Sequence, residues 1–158
     1  MAVRPGKIYD AEAQFRLGCA YMDGKISEPK NEGEAIFGLP EDEKKAIFWW
    51  TKAGEQGHVE AQFKLGDFYD YGGEYIDYDK VKAAYWYGKA AEQGHGDAQN
   101  RLGFCYEWGE GVAKDKARAI YWYTRAAEQG YPGAQDNLRH AYGIEEDAAD
   151  DEDKEVDW

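Results

Sequence analysis

Three histidines, two cysteines and a glutamate that returns three times are the side chains with the most chemistry to offer. His58 and His95 each follow a Glu-Gln-Gly tripeptide, one structural unit apart, which is too far for a shared metal ion. His140 has no Cys or carboxylate at ligand spacing on its own segment. Cys19 and Cys105 lie outside any CxxC spacing and read as small buried hydrophobes, not as a disulfide framework. Glu55, Glu92 and Glu128 close three equivalent segments at the end where a helix dipole disfavours a carboxylate. We therefore expect each to accept hydrogen bonds from the N-terminal NH groups of a neighbouring helix; catalytic pairing would need them closer than one unit apart. GxSxG, HExxH, Walker and GxGxxG patterns do not occur. Gly109-Glu110-Gly111 ends a helical segment instead of opening one, so it cannot cradle phosphate. No catalytic residue, metal or cofactor is expected.

The elements that must position these residues are repeats. Ala13-Gln14-Phe15-Arg16-Leu17-Gly18 returns at Ala61, at Ala98 and, in reduced form, at Ala134, with steps of 48, 37 and 36. Between the copies stand AIFWWTKAGEQGH from Ala46, AAYWYGKAAEQGH from Ala83 and AIYWYTRAAEQGY from Ala119. The longer first step places an insertion between Gly24 and Glu43, whose two prolines and lack of periodicity predict a loop. In the first block Ala13, Leu17, Ala20 and Tyr21 form one helical stripe, with Tyr69, Tyr106 and Tyr142 at the same phase. In the second, Ala46, Trp49, Trp50 and Ala53 do so, matched by Ala83, Trp86, Tyr87, Ala90 and by Ala119, Trp122, Tyr123, Ala126. The two blocks predict a helix A and a helix B per unit.

The punctuation agrees. Gly24, Gly72 and Gly109 fall at the ends of helix A, and Gly57, Gly94 and Gly130 follow helix B as left-handed terminators. Asp10, Asp79, Asp97 and Asp115 stand where helix starts want a side-chain acceptor. A glycine inside helix A, at 18, 66 and 103, costs about 1 kcal/mol against alanine, so its return implies a close neighbour, most simply a helix B ring. On that reading the ring ladder is core and not an open aromatic groove.

These two blocks, AEAQFxLGxxY followed by WYxKAAEQGH, resemble the Sel1-like repeat, a relative of the tetratricopeptide repeat. Periods of 36 and 37 suit that subfamily better than the generic 34-residue array. The resemblance implies an all-α, right-handed solenoid of three helix pairs plus a capping helix. The expected divisions are an N-terminal segment 1–10, repeats 11–59, 60–96 and 97–133, a cap 134–143 and an acidic tail 144–158. Arg139 replaces the helix A glycine in the fourth copy, which fits a terminal element. The disulfide in each repeat that some exported relatives carry has no counterpart here.

The charge balance, 19 basic against 32 acidic residues, gives −13 and opposes direct binding to nucleic acid or anionic membranes. The N-terminus lacks a signal-peptide core and no apolar run is long enough to span a bilayer, so a cytoplasmic location is expected. Nine acidic residues and one lysine between Ile144 and Trp158 make the tail net −8. Curved solenoids bind polypeptides, and the resemblance implies an adaptor or scaffold. We expect a noncatalytic protein-interaction module, monomer or weak dimer, that grips a protein partner on a concave face lined by helix A. The acidic balance allows a narrower alternative, an immunity or antitoxin protein neutralising a basic toxin such as a secreted nuclease; a small hydrolase has less support. The candidate contact residues are Arg16, Lys64, Asp67 and Arg101 on helix A, predicted exposed, with Tyr71, Tyr75 and Trp108 beside them. Tyr78 and Phe37 are further aromatics that packing does not demand. Their alternative is to fold back on their own repeat.

Overall fold

The computed structural model describes residues 10–25 and 40–144. Among these residues the chain is helical throughout its regular structure: α1 (Ala11–Met22), α2 (Pro40–Glu55), α3 (Val59–Tyr71), α4 (Lys80–Glu92), α5 (Gly96–Trp108), α6 (Lys116–Glu128) and α7 (Ala134–Tyr142). Odd-numbered helices are the A elements and even-numbered ones the B elements. Each packs on its chain neighbours, α1 with α2, α2 with α3, and so on to α7, so the core runs along the stack instead of closing into a ball.

The insertion was expected to be loop up to Asp42, but α2 already begins at Pro40. Proline suits the first helical position because its missing NH would have no partner there. The remainder of the insertion, with Phe37, and the acidic segment 145–158 lie outside the described residues.

The glycine sockets form as the repeats imply. A Cβ on Gly18 would fall within 3.0 Å of Trp50, one on Gly66 within 3.0 Å of Tyr87, and one on Gly103 within 3.0 Å of Tyr123. The rings are correspondingly enclosed, with Trp50 5% exposed and Tyr87 and Tyr123 fully buried. The tryptophans beside the second and third seated rings, Trp86 and Trp122, pack the other way, between units. Trp86 lies against Gly54 of α2 and joins Trp50, Leu65 and Phe68 in one apolar cluster.

Two expectations about helix ends fail. Asp10, Asp79 and Asp115 do cap α1, α4 and α6, accepting from the NH groups of Ala13, Lys82 and Arg118. Asp97, however, is inside the first turn of α5, and its expected role belongs to His95, whose Nδ1 accepts from Ala98 N at 3.2 Å. His58 does the same for α3, accepting from Ala61 N at 3.1 Å. His58 and His95 thus take an NH group at the starts of α3 and α5, whereas α7 follows Gly133 with no side-chain cap; Glu55, Glu92 and Glu128 are all exposed, and the expected tie through them is absent among the described residues.

One residue later stand glutamines that join the end of helix B to helix A within each unit, and their partners Gln62 and Gln99 carry the tie to the preceding unit. Gln56 donates to Gln14 Oε1 at 2.6 Å, Gln93 to Gln62 Oε1 at 2.7 Å and Gln129 to Gln99 Oε1 at 2.7 Å. Gln62 and Gln99, both buried, in turn donate to the carbonyls of Gly54 and Ala91 at 2.9 and 3.1 Å. A buried amide is tolerated only when its donors and acceptor find partners, and here the carbonyls lie on the helix B of the preceding unit while the donor to each Oε1 follows the helix B of the same unit.

Candidate functional site

Arg16, Lys64 and Arg101 occupy one phase of successive A helices, as the repeat requires, but their surroundings differ. Arg16 is exposed and paired with Glu12 at 2.6 Å. Lys64 is exposed over the edge of the first socket, its ammonium 5.8 Å from the Trp50 ring. Arg101, only half exposed, lies 5.5 Å from the Tyr71 ring centre and donates to the Tyr71 hydroxyl. Arg101 and Tyr71 are thus brought together across two repeats, whereas Arg16 belongs to the far end of the stack.

Asp67 was predicted exposed and is not. It is half buried, and its Oδ1 lies 2.8 Å from the Tyr87 hydroxyl, with Asp70 Oδ2 at 3.2 Å from the same oxygen. Burial holds the Asp67 carboxyl above its ordinary pKa, against the opposing pull of the Tyr87 hydrogen bond. Burial and the adjacent carboxylate likewise push the Tyr87 phenol well above its usual range. Asp67 therefore supports the seated ring and is not a free contact residue. Asp70 continues the network to Lys80 Nζ at 2.5 Å, which also reaches Glu110 at 3.3 Å.

The aromatics keep their exposure. Tyr71, the last residue of α3, is 64% exposed, and Trp108, at the same register of α5, is 52% exposed. Trp108 stacks on His140 of α7 at 5.8 Å and is approached by Lys114 at 6.0 Å. Tyr75 and Tyr78 are exposed in the α3–α4 connection. That connection is held at its tip by Glu43, which accepts from the backbone NH groups of Glu74 and Tyr75 at 2.7 and 3.0 Å. These rings did not fold back into their own repeats.

The histidines serve as pins. While Nδ1 caps a helix, His58 Nε2 lies 2.9 Å from Glu12 and His95 Nε2 lies 3.3 Å from Glu60, so each links consecutive A helices. Phe15 and Phe63 stack on them at 4.5 and 4.4 Å. In the third unit Tyr131 takes this place, and burial with a hydrogen bond to Asp97 pushes its phenol up to about 12. His140 does have an acidic partner, on the neighbouring A helix, with Nδ1 2.7 Å from Glu107. Cys105 is buried, and its thiol is pushed up to about 12, an inert packing residue as expected.

A second surface escaped the sequence reading. Phe48, Tyr85 and Tyr121 hold one phase of the three B helices and are 52%, 56% and 52% exposed. Each meets the adjacent tryptophan edge-on, and Lys52, Lys89 or Arg125, four residues on, lies 5.6–5.7 Å from its ring. The signal was available, since an aromatic followed by a cation at i+4 returns with the repeat. It was hidden beside the stronger tryptophan pattern. Where α6 and α7 diverge there is also an open groove, lined by Thr124, Ala127, Glu128, Leu138, Tyr142 and Ile144 among others.

Among the described residues no helix is long and apolar enough to cross a membrane. No curated protein matches the chain. Among solved structures, a Sel1 repeat protein from Oxalobacter formigenes is 34% identical with a TM-score of 0.71, the match covering 89% of this chain and 52% of that one. A protective antigen from uropathogenic Escherichia coli displaying an SLR fold is 36% identical, TM-score 0.67, over 85% of this chain and 26% of the other. Helicobacter pylori cysteine rich protein B is 31% identical, TM-score 0.54, over 59% and 69%. The chain thus spans about half the length of the first of these and about a quarter of the second. The Sel1 repeat profile matches residues 11–37, 36–58, 59–95 and 96–131, its first two segments dividing the helix pair that carries the insertion. With sockets, glutamine ties and helix order all in register with that profile, the chain belongs to the Sel1 repeat family.

Proposed function

We propose that this protein is a noncatalytic module that binds a polypeptide along the face formed by its A helices, the concave face of the solenoid. The observation that carries this reading is the pair Tyr71 and Trp108. They occupy one register on consecutive A helices, stay exposed where the core does not need them, and each has a cation beside its ring. Aromatic and arginine side chains of this kind concentrate binding energy at interfaces. Sel1 repeats generally act as protein-interaction modules, which agrees. Arg16 and Lys64 extend the surface toward the first repeat, and Tyr75 flanks it; Asp67 contributes by fixing Tyr87 and not by contact. The −13 balance favours a basic partner.

The test is capture of partners by the full chain, identification by mass spectrometry, and measurement of the recovered partner's affinity. Tyr71→Ala and Trp108→Ala should each weaken binding by about 2 kcal/mol, roughly thirtyfold. Val81→Ala, equally exposed but on helix B, should leave it unchanged. Equal loss in all three variants, or in none, would remove the A face from the account. The neutralisation of a basic toxin is the narrower form of this reading, supported by charge alone. It requires that co-expression rescue cells from the captured partner.

A further inference from the structure

The B-face ladder is as regular as the core and has no part in it. Phe48, Tyr85 and Tyr121 spend about half their surface in water at one phase of three successive helices. Lys52, Lys89 and Arg125 rest over those rings, and among the described residues none of the three has a carboxylate within ion-pair distance. A protein of net −13 therefore presents a strip of unpaired cations, each backed by an exposed ring.

The complementary sequence is in the same chain. Residues 145–158 carry nine carboxylates, one lysine and a tryptophan. They follow Ile144, which lies in the groove between α6 and α7 beside Thr124, a neighbour in sequence of Arg125. Fourteen residues reach at most about 46–50 Å when extended. The α6 and α4 helices both pack on α5, so their axes are no more than about 16–20 Å apart. The strip at Tyr121–Arg125 and Tyr85–Lys89 is within reach with chain to spare. A second copy would oppose cations to cations, which argues against it as the occupant.

We propose that the acidic segment 145–158 docks in cis on the helix B ladder, its carboxylates facing Arg125 and Lys89 and its aromatic residue adding ring contact with Tyr121 or Tyr85. The interaction leaves the A face open, so it goes beyond the polypeptide-binding reading and does not depend on it.

Zero-length carbodiimide cross-linking of the full chain tests this, using an equal mixture of 14N- and 15N-labelled protein digested and mapped by mass spectrometry. Lys89 should be joined to carboxylates of 145–157 within single copies, at several times the yield seen for Lys64 or Lys114. Raising salt from about 50 to 500 mM should cut that yield at least about fivefold, because exposed charge pairs are screened over a few ångströms there. The full-length Tyr85→Ala/Tyr121→Ala/Arg125→Gln variant should lose it similarly. Equal yields at Lys89, Lys64 and Lys114 would overturn the proposal, as would links found only between isotopically different copies. The wild-type comparison of lysines decides the matter even if the triple variant is unstable.

Discussion

The first helix pair and the two that follow build the same socket but finish it differently. In each, a glycine on helix A admits a ring from helix B. In the second and third pairs that ring is a phenol, and helix A supplies its acceptor: Asp67 and Asp70 for Tyr87, and Glu107, at 2.7 Å, for Tyr123. In the first pair the ring is the indole of Trp50, and the A-helix registers that hold Asp67 and Asp70 carry Cys19 and Met22. The buried Trp50 Nε1 has no hydrogen-bond partner among the described residues. A buried donor left unsatisfied costs about 1–3 kcal/mol. Shape is what the repeat transmits from unit to unit, and polar satisfaction is settled locally.

That contrast can be broken or sharpened by substitution. The largest effect belongs to the ring between units: Trp86→Ala should cost about 3–5 kcal/mol in denaturant unfolding. Its exposed neighbour Tyr85→Ala should stay within about 0.5 kcal/mol, and similar losses at both positions would erase the distinction between core and ladder. Next come the polar tips. Tyr87→Phe and Tyr123→Phe should each cost about 1 kcal/mol, since each keeps the ring but removes the hydroxyl's hydrogen bond. Tyr87→Phe should also raise the Asp67 pKa further, which NMR titration would read. Gln93→Ala, which removes the donor to Gln62 Oε1 within the second unit and to the Gly57 carbonyl of the first, should cost about 1 kcal/mol.

The smallest effect depends on pH. Asp67 has a folded pKa above its unfolded value. The folded state therefore holds the proton more tightly, and the associated stability is complete below the unfolded pKa and lost as pH rises through the folded one. Asp67→Asn keeps an acceptor for Tyr87 but has no proton to lose. Its melting temperature relative to the parent should rise as pH climbs from about 4 toward neutrality. A relative melting temperature that falls over that interval would reverse the assigned sign.

Most of the fold was legible because its determinants are periodic. The 36- and 37-residue steps of Ala, Gly and ring residues fixed helix number, order and the seating of Trp50, Tyr87 and Tyr123. Polar roles were less legible, because several side chains compete for the same backbone groups. Asp97 is a good cap by type, yet His95 sits one turn-start earlier and its ring is held by Phe63, so the histidine wins. Glu92 carries charge at an unfavourable helix end, but next to it Gln93 has an NH2 group to donate to the buried Gln62 Oε1, which a carboxylate lacks. The glutamines were visible at repeat spacing and were passed over because an amide advertises no chemistry. Among the candidate contact residues, Tyr71, Tyr75 and Trp108 were placed correctly at the surface. Asp67 was not, since its burial depends on which way Tyr87 enters the socket.

The socket itself admits a direct test within one repeat. Gly66 and Gly88 both lie inside helices, but a methyl at Gly66 would strike the Tyr87 ring, whereas one at Gly88 meets nothing within 4 Å. Denaturant unfolding of the two alanine variants should give opposite signs. Gly88→Ala should stabilise by up to about 1 kcal/mol through helix propensity, and Gly66→Ala should destabilise by about 1–3 kcal/mol through overpacking. Stabilisation by both would mean that Tyr87 does not occupy the socket, and would contradict the account.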